Sequence, residues 1–319
     1  MHIVVTGGAG FIGSNFISML LKNSDLGFEI DELTIIDTLT YAGNLKNIEG
    51  PLTDSRVKFS RTNIADKKAI PEILKGVDVV VNFAAESHVD RSLEDAGVFI
   101  ESNIQGVQVL LDACIQQGVK SFIQISTDEV YGTVESGSWT EESILNPRSP
   151  YSSSKASADL LALSYFYSFG LDVRITRCCN NYGPFQNTEK AIPKFITNLL
   201  INKKIPVYGD GSNIREWIHV SDHCRAIGLV INSGLPGNIY NIGSPEELSN
   251  IEMVRQILDY FDKDVDEIDW VADRKGHDKR YSLDTTKITQ TLGFKNLTSF
   301  SMGLPETIKW YKANSEWWK

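Results

Sequence analysis

The chain has 319 residues, of which 42% are hydrophobic and 23% are charged, and its formal net charge is −10 at pH 7. This length is enough for one large α/β domain and a smaller second domain. The acidic balance argues against a nucleic-acid or anionic-membrane surface, so local basic side chains and backbone amides would have to hold any phosphate-bearing ligand.

The predicted elements alternate between strand and helix up to about residue 180. Apolar runs predict strands at Ile3 to Val5, Leu33 to Ile36, Val57 to Phe59, Val77 to Phe83, Ser121 to Ile125 and Val173 to Thr176. Helices are predicted at Ser14 to Leu21, Lys67 to Leu74, Val98 to Gln117, Tyr151 to Phe169 and Ile192 to Asn202. This alternation is typical of a parallel sheet built from βαβ units.

The pattern loosens after about residue 183. The later elements are a turn-rich segment at Pro206 to Gly211, a strand at Trp217 to Val220, and helices at Ile251 to Phe261 and Met302 to Lys312. We therefore predict an α/β fold with a Rossmann-type doubly wound parallel sheet over residues 1–182 and about 214–243. A smaller C-terminal α/β substrate-binding domain is predicted over about 183–213 and 244–319.

The first residues and the cysteines bear on the compartment. The first residues form a strand that enters a glycine turn, so we expect no signal peptide, no membrane span and a cytoplasmic protein. The four cysteines lack the spacing of metal ligands, which predicts reduced structural thiols and no metal: Cys114, Cys178, Cys179 and Cys224.

A glycine-rich turn follows the first strand. Residues 6–14 read TGGAGFIGS, and the G-x-G-x-x-G pattern before a helix lets a pyrophosphate approach the amides at the helix N-terminus. Asp37 ends the second strand, where a carboxylate accepts hydrogen bonds from a ribose 2′-hydroxyl and repels a 2′-phosphate. The pattern predicts NAD as the cofactor, and the alternative is a plain glycine turn with a surface aspartate.

Tyr151 and Lys155 lie four residues apart on a predicted helix and therefore share one face. A nearby ammonium would favour the phenolate, so that Tyr151 could take a proton from a substrate hydroxyl near neutral pH. Thr127 would orient the same hydroxyl, while NAD takes the hydride. The spacing alone is weak, because a helical tyrosine often only packs, but the glycine turn strengthens it.

Asp128 and Glu129 add two carboxylates that a simple alcohol oxidation does not need. One protonated carboxyl could donate to a departing hydroxyl while its ionised neighbour takes a carbon-bound proton, which suits an elimination. The alternative is an acidic pair that caps a helix after the strand. The elimination reading makes oxidation only the first step of the reaction.

Several stretches carry a resemblance that covers almost the whole chain. They are GGAGFIGSN, LTYAGN, NFAAESHVDRS, STDEVYG, SPYSSSKA, RCCNNYGP, VYGDGSNIREWIHVSDHCRAI, YNIG and DRKGHDKRY. The sequence resembles the extended short-chain dehydrogenases/reductases, and within them the dTDP-glucose 4,6-dehydratases. The Thr-Asp-Glu triplet and ESHVDRS are the most specific of these stretches.

The resemblance implies a three-step lyase reaction on a nucleotide sugar. Tyr151 would oxidise the sugar at C4, and the resulting ketone would acidify the proton at C5. Glu129 would remove that proton while Asp128 protonates the C6 hydroxyl, which leaves as water. Hydride return to C6 would give a 4-keto-6-deoxy sugar nucleotide with NAD recycled, in the biosynthesis of deoxysugars.

The resemblance also implies binding residues. For the cofactor these are Gly7, Gly10, Phe11, Ile12, Gly13, Asp37, Asn63, Ile64, Ala84, Ala85, Ser102, Tyr151, Lys155 and Asn181. For the substrate they are Ser87, Thr127, Asn180, Lys190, Pro206, Tyr208, Arg215, Asn250, Arg274 and His277. Arg215 is the expected pyrophosphate clamp, because a guanidinium pairs two oxygens at once, although it could instead form an ion pair with Glu216.

Alternatives remain open at this stage. The same chemistry could act on UDP-glucose or another nucleotide sugar, a 4-epimerase would leave Asp128 and Glu129 idle, and a non-catalytic sensor would keep only binding. Glu246 falls where the family usually has an Asn near the nucleotide, so its carboxylate would repel a diphosphate unless it turns away. A homodimer is expected through a four-helix interface, from the helices at Val98 to Gln117 and Tyr151 to Phe169.

Overall fold

The computed structural model describes residues 1–22, 27–273 and 276–319. The strands in these ranges are β1 (His2–Thr6), β2 (Glu32–Ile36), β3 (Val57–Ser60), β4 (Val79–Asn82), β5 (Ser121–Thr127), β6 (Asp172–Cys178), β7 (Asn180–Tyr182), β8 (Ile205–Tyr208), β9 (Ile214–His219), β10 (Ile239–Ile242), β11 (Glu247–Ser249) and β12 (Ile268–Val271). Seven of them form one sheet in the order β10-β6-β5-β4-β1-β2-β3. Every neighbouring pair in this sheet is parallel.

The α-helices flank this sheet and also build the C-terminal part. Their bounds are α1 (Phe11–Leu21), α2 (Ala69–Ile73), α3 (Val89–Glu94), α4 (Gly97–Ile100), α5 (Gly106–Gln117), α6 (Pro150–Phe169), α7 (Ala191–Leu200), α8 (Val220–Ser233), α9 (Asn250–Tyr260), α10 (Thr286–Leu292), α11 (Phe300–Ala313) and α12 (Ser315–Trp318). The strand order and the helices on both faces confirm the predicted Rossmann-type doubly wound sheet.

Successive side chains along each strand point to opposite faces of the sheet and pack into two separate hydrophobic clusters. In β1, Ile3 and Val5 point to a cluster that includes α1 and α8, whereas Val4 points to the opposite cluster with α2, α5 and α6. Because both faces are covered, the strands are apolar throughout rather than alternating with polar residues. A third cluster joins α7, α9 and α11 in the C-terminal part.

Two small sheets lie beside this third cluster. The strands β11, β9 and β7 form one of them, and β12 with β8 forms the other. Because β10 returns to the seven-stranded sheet after β9 has paired in a small sheet, the chain passes between the two parts more than once. The proposed division into two domains is in keeping with this path and stays a prediction.

One predicted segment is wrong and several elements were missed. Pro206 to Gly211 was expected to be turn-rich, but Ile205–Tyr208 is a strand that pairs in parallel with Ile268–Val271. Proline lacks an amide donor and is tolerated in a strand that has a neighbour on only one side, so Pro206 did not prevent pairing. The helix α8 and the short strands β7, β10, β11 and β12 had no predicted counterpart.

The helix from Gly97 to Gln117 contains a π-helical turn at Glu101–Gln105. By length and composition alone this helix could cross a membrane, but half of its most apolar window is buried within the protein, as is typical of a core helix. The side chain of Asn103 in the π-helical turn accepts a hydrogen bond from the amide of Glu86 and donates one to the carbonyl oxygen of Glu86. It also donates to the Ser154 hydroxyl (2.8 Å). The turn thereby ties the loop after β4 to α6.

Candidate active site

The carboxyl ends of the central strands border one large cavity of about 480 Å³. Its lining includes all predicted catalytic and cofactor residues: Gly7, Gly10, Phe11, Ile12, Gly13, Asp37, Asn63, Ile64, Ala84, Ala85, Ser102, Thr127, Asp128, Glu129, Tyr151, Lys155 and Asn181. Three predicted substrate residues also line it, namely Ser87, Asn180 and Lys190. Open sheets of this kind bind their ligands at this edge.

The glycine turn requires glycine at two positions. Gly7 has a φ of 64°, in the left-handed region, and a Cβ there would meet the backbone nitrogen of Ala84 at 2.6 Å. A Cβ on Gly13 would meet the carbonyl oxygen of Gly7 at 2.5 Å. The turn therefore packs directly against the start of α1, and Gly7, Gly10 and Gly13 line the cavity.

Asp37 supports the turn. Its two carboxylate oxygens accept hydrogen bonds from the amides of Ala9 (3.0 Å) and Leu39 (2.7 Å). Burial raises the pKa of Asp37, while these amides lower it. Asp37 also lines the cavity, and each of its oxygens keeps a second lone pair for a ribose hydroxyl.

Hydrogen bonds connect the C-terminal helix α12 to the same glycine turn. The indole nitrogen of Trp317 donates to Asn47 Oδ1 (2.7 Å), and Asn47 Nδ2 donates to the carbonyl oxygen of Ala9 (2.8 Å). Lys46 Nζ bonds to the carbonyl oxygen of Glu316 (2.9 Å). The last residues of the chain are thus connected to the cofactor turn through one buried amide side chain.

Tyr151 and Lys155 are positioned by the first turns of α6. Ser149 and Ser152 form a capping box, and Pro150 occupies the first helical position. The Tyr151 ring is buried with an edge toward Phe99, at 6.3 Å between centroids. Lys155 is also buried, and its Nζ donates to the carbonyl oxygen of Ile125 (2.5 Å).

The electrostatics of Tyr151 depend mainly on its burial. Burial and the Glu129 carboxylate raise the pKa of Tyr151 well above its usual value, and only the hydrogen bond with Thr127 lowers it. Burial lowers the pKa of Lys155 to about 8. Burial is the main cause of the raised pKa of Tyr151, and the lowering of this pKa by Lys155 stays a prediction.

Asp128 is held as a buried acid. It is 3% exposed, Oδ1 accepts a hydrogen bond from the Thr127 hydroxyl (3.1 Å), and Oδ2 has no hydrogen-bond partner among the described residues. Burial and the carboxylates of Glu129 and Glu216 raise its pKa well above the usual range. A raised pKa favours the protonated carboxyl, which is the form that can donate a proton.

The capping alternative for the acidic pair fits poorly with the geometry. The short turn Asp128–Tyr131 is capped by Thr127, whose hydroxyl accepts from the amide of Glu129 (3.3 Å). Neither carboxylate is needed for that cap. Glu129 instead faces the cavity beside Asp128 and Tyr151.

An Asp128→Asn variant is expected to be more stable than the wild type at about pH 8, by about 1–3 kcal/mol. Because the folded-state pKa of Asp128 is raised, the stability that its proton provides is complete below the unfolded pKa and is lost as the pH rises through the folded pKa. The advantage of the variant should therefore shrink toward about pH 4. Urea unfolding at several pH values measures it.

The control for this prediction is Asp159→Asn. Asp159 is equally buried, but its carboxylate pairs with Arg177 Nε (2.9 Å). Removing it leaves a buried cation unpaired, so this variant should lose about 3–5 kcal/mol. If both substitutions destabilised the protein alike, the buried state of Asp128 would not be the uncompensated acid described above.

The predicted phosphate clamp, Arg215, lies outside the cavity lining. Its guanidinium donates to the carbonyl oxygens of Ile214 (2.7 Å) and Asp278 (2.8 Å) and lies over the Tyr281 ring (4.3 Å). Glu216, the alternative partner, accepts from the amide of Leu283 (2.8 Å). The role of Arg215 toward a pyrophosphate stays a prediction.

Tyr281 joins this region to the catalytic strand end. Burial and the Glu129 carboxylate raise its pKa, while the Arg215 guanidinium lowers it. Both charged groups therefore lie within electrostatic reach of one phenol. Tyr281 is the last residue of the DRKGHDKRY stretch and was not among the predicted site residues. The basic residues that precede it in this stretch could have indicated its place near the site.

The remaining predicted substrate residues are spread along the C-terminal part. Pro206, Tyr208, Asn250 and His277 are not among the described residues that line the cavity. Tyr208 and His277 contact each other through their rings, at 6.2 Å between centroids. Arg274 lies outside the described residues.

The Glu246 carboxylate contacts the start of α11. Its Oε2 accepts a hydrogen bond from the amide of Phe300 (2.7 Å), at the first residue of α11. A carboxylate is favoured at a helix N-terminus by the helix dipole. The Glu246 carboxylate is therefore bound at the start of α11, and its effect on a diphosphate stays a prediction.

Sequence reasoning missed several cavity-lining side chains. They include Tyr41, Glu86, Gln186, Asn187, Glu189 and His223. Tyr41 and Glu86 stand in the LTYAGN and NFAAESHVDRS stretches, which marked them without assigning a role. His223 forms a hydrogen bond with Asn181 Oδ1 (2.9 Å), and Asn181 Nδ2 donates to Cys178 Sγ (3.3 Å). His223 and Asn181 are 42 residues apart in sequence, so their contact could not be predicted from local sequence.

Taken together, the fold and the site define a class of protein. A doubly wound parallel sheet with a glycine turn, an acidic end on β2 and a Tyr-Lys pair at the start of α6 is the arrangement of a short-chain dehydrogenase/reductase. The two carboxyls beside Tyr151 narrow this class to enzymes that also move protons on carbon and oxygen.

Comparison with known proteins places the chain within that class. The family profile described as GDP-mannose 4,6 dehydratase matches residues 4–307. A dTDP-glucose 4,6-dehydratase of Streptomyces antibioticus is 50% identical over 100% of this chain and 95% of its own length. The Low-salt glycan biosynthesis protein Agl12 of Haloferax volcanii is 48% identical over 99% of this chain and 100% of its own.

Solved structures agree. DesIV, a dTDP-glucose 4,6-dehydratase from Streptomyces venezuelae solved with NAD bound, has a TM-score of 0.99 and 51% identity over 100% of this chain and 99% of that chain. A UDP-glucose 4-epimerase from Thermotoga maritima has a TM-score of 0.91 and 28% identity, covering 99% and 100%. The chain belongs to the nucleotide-sugar 4,6-dehydratase family, and its close relatives there are the dTDP-glucose 4,6-dehydratases.

Proposed function

We propose that the chain is an NAD-dependent hydro-lyase that converts dTDP-glucose to dTDP-4-keto-6-deoxy-glucose in deoxysugar nucleotide biosynthesis. The observation that carries this function is the buried Asp128, whose pKa is raised, beside Glu129 and Tyr151 in one cavity. Relatives at about half identity along the full chain have this name, and DesIV was solved with NAD and dTDP bound.

Each proposed proton step has a residue suited to it. Tyr151 takes the proton of the C4 hydroxyl, oriented by Thr127. Glu129, half-buried and facing the cavity, takes the C5 proton once C4 is a ketone. Asp128 gives its proton to the C6 hydroxyl, which leaves as water.

The cavity residues fit NAD. The amides of the glycine turn lie at the start of α1, Asp37 keeps acceptor lone pairs at the end of β2, and the cavity continues from there to Tyr151. When bound, NAD would supply the hydride acceptor and, once reduced, the hydride donor. Lys155 and Asn181 lie at that end of the cavity and are proposed to hold the nicotinamide riboside.

A Trp317→Phe variant is expected to bind NAD about fivefold more weakly, because loss of one hydrogen bond to Asn47 costs about 1 kcal/mol. Phenylalanine keeps the aromatic packing. The matched control is Trp318→Phe, which removes the indole bond to the carbonyl oxygen of Tyr311 (2.8 Å) and should leave NAD affinity unchanged. Calorimetric titration of cofactor-free protein measures both, and equal weakening would contradict a specific effect of the Trp317 hydrogen bond.

The 4-epimerase is the strongest competing function. It shares the fold, but an epimerase moves no proton at C5 or C6. Burying Asp128 without a second hydrogen-bond partner among the described residues costs stability, and a chain that did not use this acid would gain by losing it.

The decisive assay incubates the protein with dTDP-glucose or UDP-glucose and catalytic NAD, without a reductant. Loss of one water from the sugar without accumulation of reduced cofactor supports the dehydratase, and the faster substrate decides the nucleotide base. An unchanged mass with an inverted C4 centre would overturn the proposal.

We also propose a homodimer formed through α5 and α6. Leu160 and Tyr167 lie seven residues apart on α6 and are 59% and 76% exposed, and Ile115 on α5 is 40% exposed. An apolar stripe of this kind on two packed helices suits a four-helix interface.

A Leu160→Asp variant is expected to sediment as a monomer, because a charge in the centre of an apolar interface is costly to bury. Leu297→Asp is the control: Leu297 is 66% exposed in the segment between α10 and α11. Analytical ultracentrifugation compares the two. A wild-type monomer, or a Leu160→Asp dimer, would reject this interface.

We propose the cytoplasm as the compartment. Cys114, Cys178, Cys179 and Cys224 are all free and buried, which suits a reducing environment. NAD and nucleotide sugars are also metabolites of the cell interior.

A further inference from the structure

The proposed dehydration, on which the inference below rests, leaves the active site one proton transfer away from its starting state. Glu129 takes a proton from C5 and returns it to C5 when C6 is reduced, so it ends as it began. Tyr151 ends with the proton from the C4 hydroxyl, and Asp128 ends without the proton that left as water. The overall reaction releases no proton, so before the next turnover Tyr151 must lose one proton and Asp128 must gain one, either by direct transfer or by exchange with solvent.

Thr127 lies between these two groups. Its hydroxyl donates to Asp128 Oδ1 (3.1 Å), and it lies close enough to the Tyr151 phenol to lower the pKa of that group. The amide of Glu129 donates to the hydroxyl oxygen of Thr127 (3.3 Å) and fixes its position. The side chains of Thr127, Asp128 and Tyr151 are all at least nine-tenths buried, so the path is short and enclosed.

We infer that Thr127 is the proton relay that returns the proton from Tyr151 to Asp128 between turnovers. The O–H bond of the phenol breaks as the Thr127 oxygen takes that proton, and the Thr127 hydroxyl gives its own proton to Asp128 Oδ1. Phenolate and carboxylic acid are restored with no net change of charge in the cavity. A transfer of this kind avoids creating a second charge in a region of low dielectric.

Glu216 offers the competing route. Its carboxyl is buried, and Oε2 has no hydrogen-bond partner within the described ranges. The Ser282 hydroxyl and the Leu283 amide donate to its other oxygen. Its charge reaches both Asp128 and Cys179. The two routes make different predictions, because only the Thr127 route starts at Tyr151.

The test separates the first turnover from the following ones in a Thr127→Val variant. Enzyme equilibrated with NAD is mixed with excess dTDP-glucose, and product is followed by rapid quench. Because Thr127 is also proposed to orient the C4 hydroxyl, the burst of about one product per site should be slower than the first turnover of the wild type. The steady rate should lie about tenfold below this burst rate. A small carboxylic acid buffer should speed the steady rate and not the burst, and Thr127→Ser should restore wild-type cycling.

The control makes the same Thr→Val change in the neighbouring strand. Thr176 is buried opposite Ile125 in β6, and its hydroxyl has no hydrogen-bond partner in the described part of the chain. Thr176→Val should show no burst. A Thr127→Val enzyme slowed equally in all turnovers, or a burst produced by Glu216→Gln instead, would overturn the relay. Failure of the wild type to dehydrate dTDP-glucose would reject the proposed function and not the relay alone.

Discussion

A Tyr151→Phe variant is expected to lower kcat for the dehydration of dTDP-glucose by about 10³-fold. The phenol oxygen is the only heavy atom removed, and without it no group takes the C4 proton in the first step. The fold should be unaffected, because the phenylalanine ring keeps the edge contact with Phe99. Product formation by mass spectrometry and reduced nicotinamide by absorbance should both fall, since the block precedes hydride transfer.

Tyr165→Phe is the matched control on the same helix. The Tyr165 phenol bonds to Asp112 on α5, away from the cavity lining, so its loss should leave kcat within about twofold. If Tyr151→Phe kept near-normal turnover while its NAD affinity was unchanged, Tyr151 would not be the base, and the Tyr-Lys pair would be structural.

A Glu129→Gln variant is expected to stop the reaction in the middle. Removal of the C5 proton should slow by about 10²–10⁴-fold, because an amide is not a base. Oxidation at C4 does not need Glu129, so reduced nicotinamide should accumulate after addition of dTDP-glucose while the sugar keeps its water. The lost negative charge should also ease ionisation of Tyr151, whose pKa Glu129 raises.

The control is Glu135→Gln, at an exposed position after the strand end, and it should behave as the wild type. Stopped-flow absorbance with parallel mass analysis reports both halves of the reaction. If the Glu129→Gln enzyme still eliminated water at the wild-type rate, a residue other than Glu129 would be the base that removes the C5 proton. One that inverts C4 without loss of water would identify an epimerase.

Local sequence determined most of what was predicted correctly. The glycine turn, Asp37 and the Tyr-Lys pair are set by short spacings, and parallel strands bring the residues after β1, β2 and β5 to one edge. The pKa of Tyr151 could not be predicted in this way. It depends on burial and on Glu129, which come together only when α6 packs on β5.

Long-range contacts account for the rest. Ile205–Tyr208 is a strand because Ile268–Val271 lies beside it, and its own four residues carried too little pattern to show it. The orientation of Glu246 is set by the start of α11, 54 residues later. Such pairings are fixed by tertiary structure, which overrides weak local preference.

The bond between Asn47 and Trp317 spans 270 residues, and it has a consequence for synthesis. The ribosome delivers the chain from the N-terminus, so the glycine turn emerges among the first residues and Trp317 among the last. A nascent or prematurely terminated chain therefore has the turn without its support. If Trp317→Phe weakens NAD binding as predicted, a chain that ends before Trp317 should also bind the cofactor less tightly than the full chain.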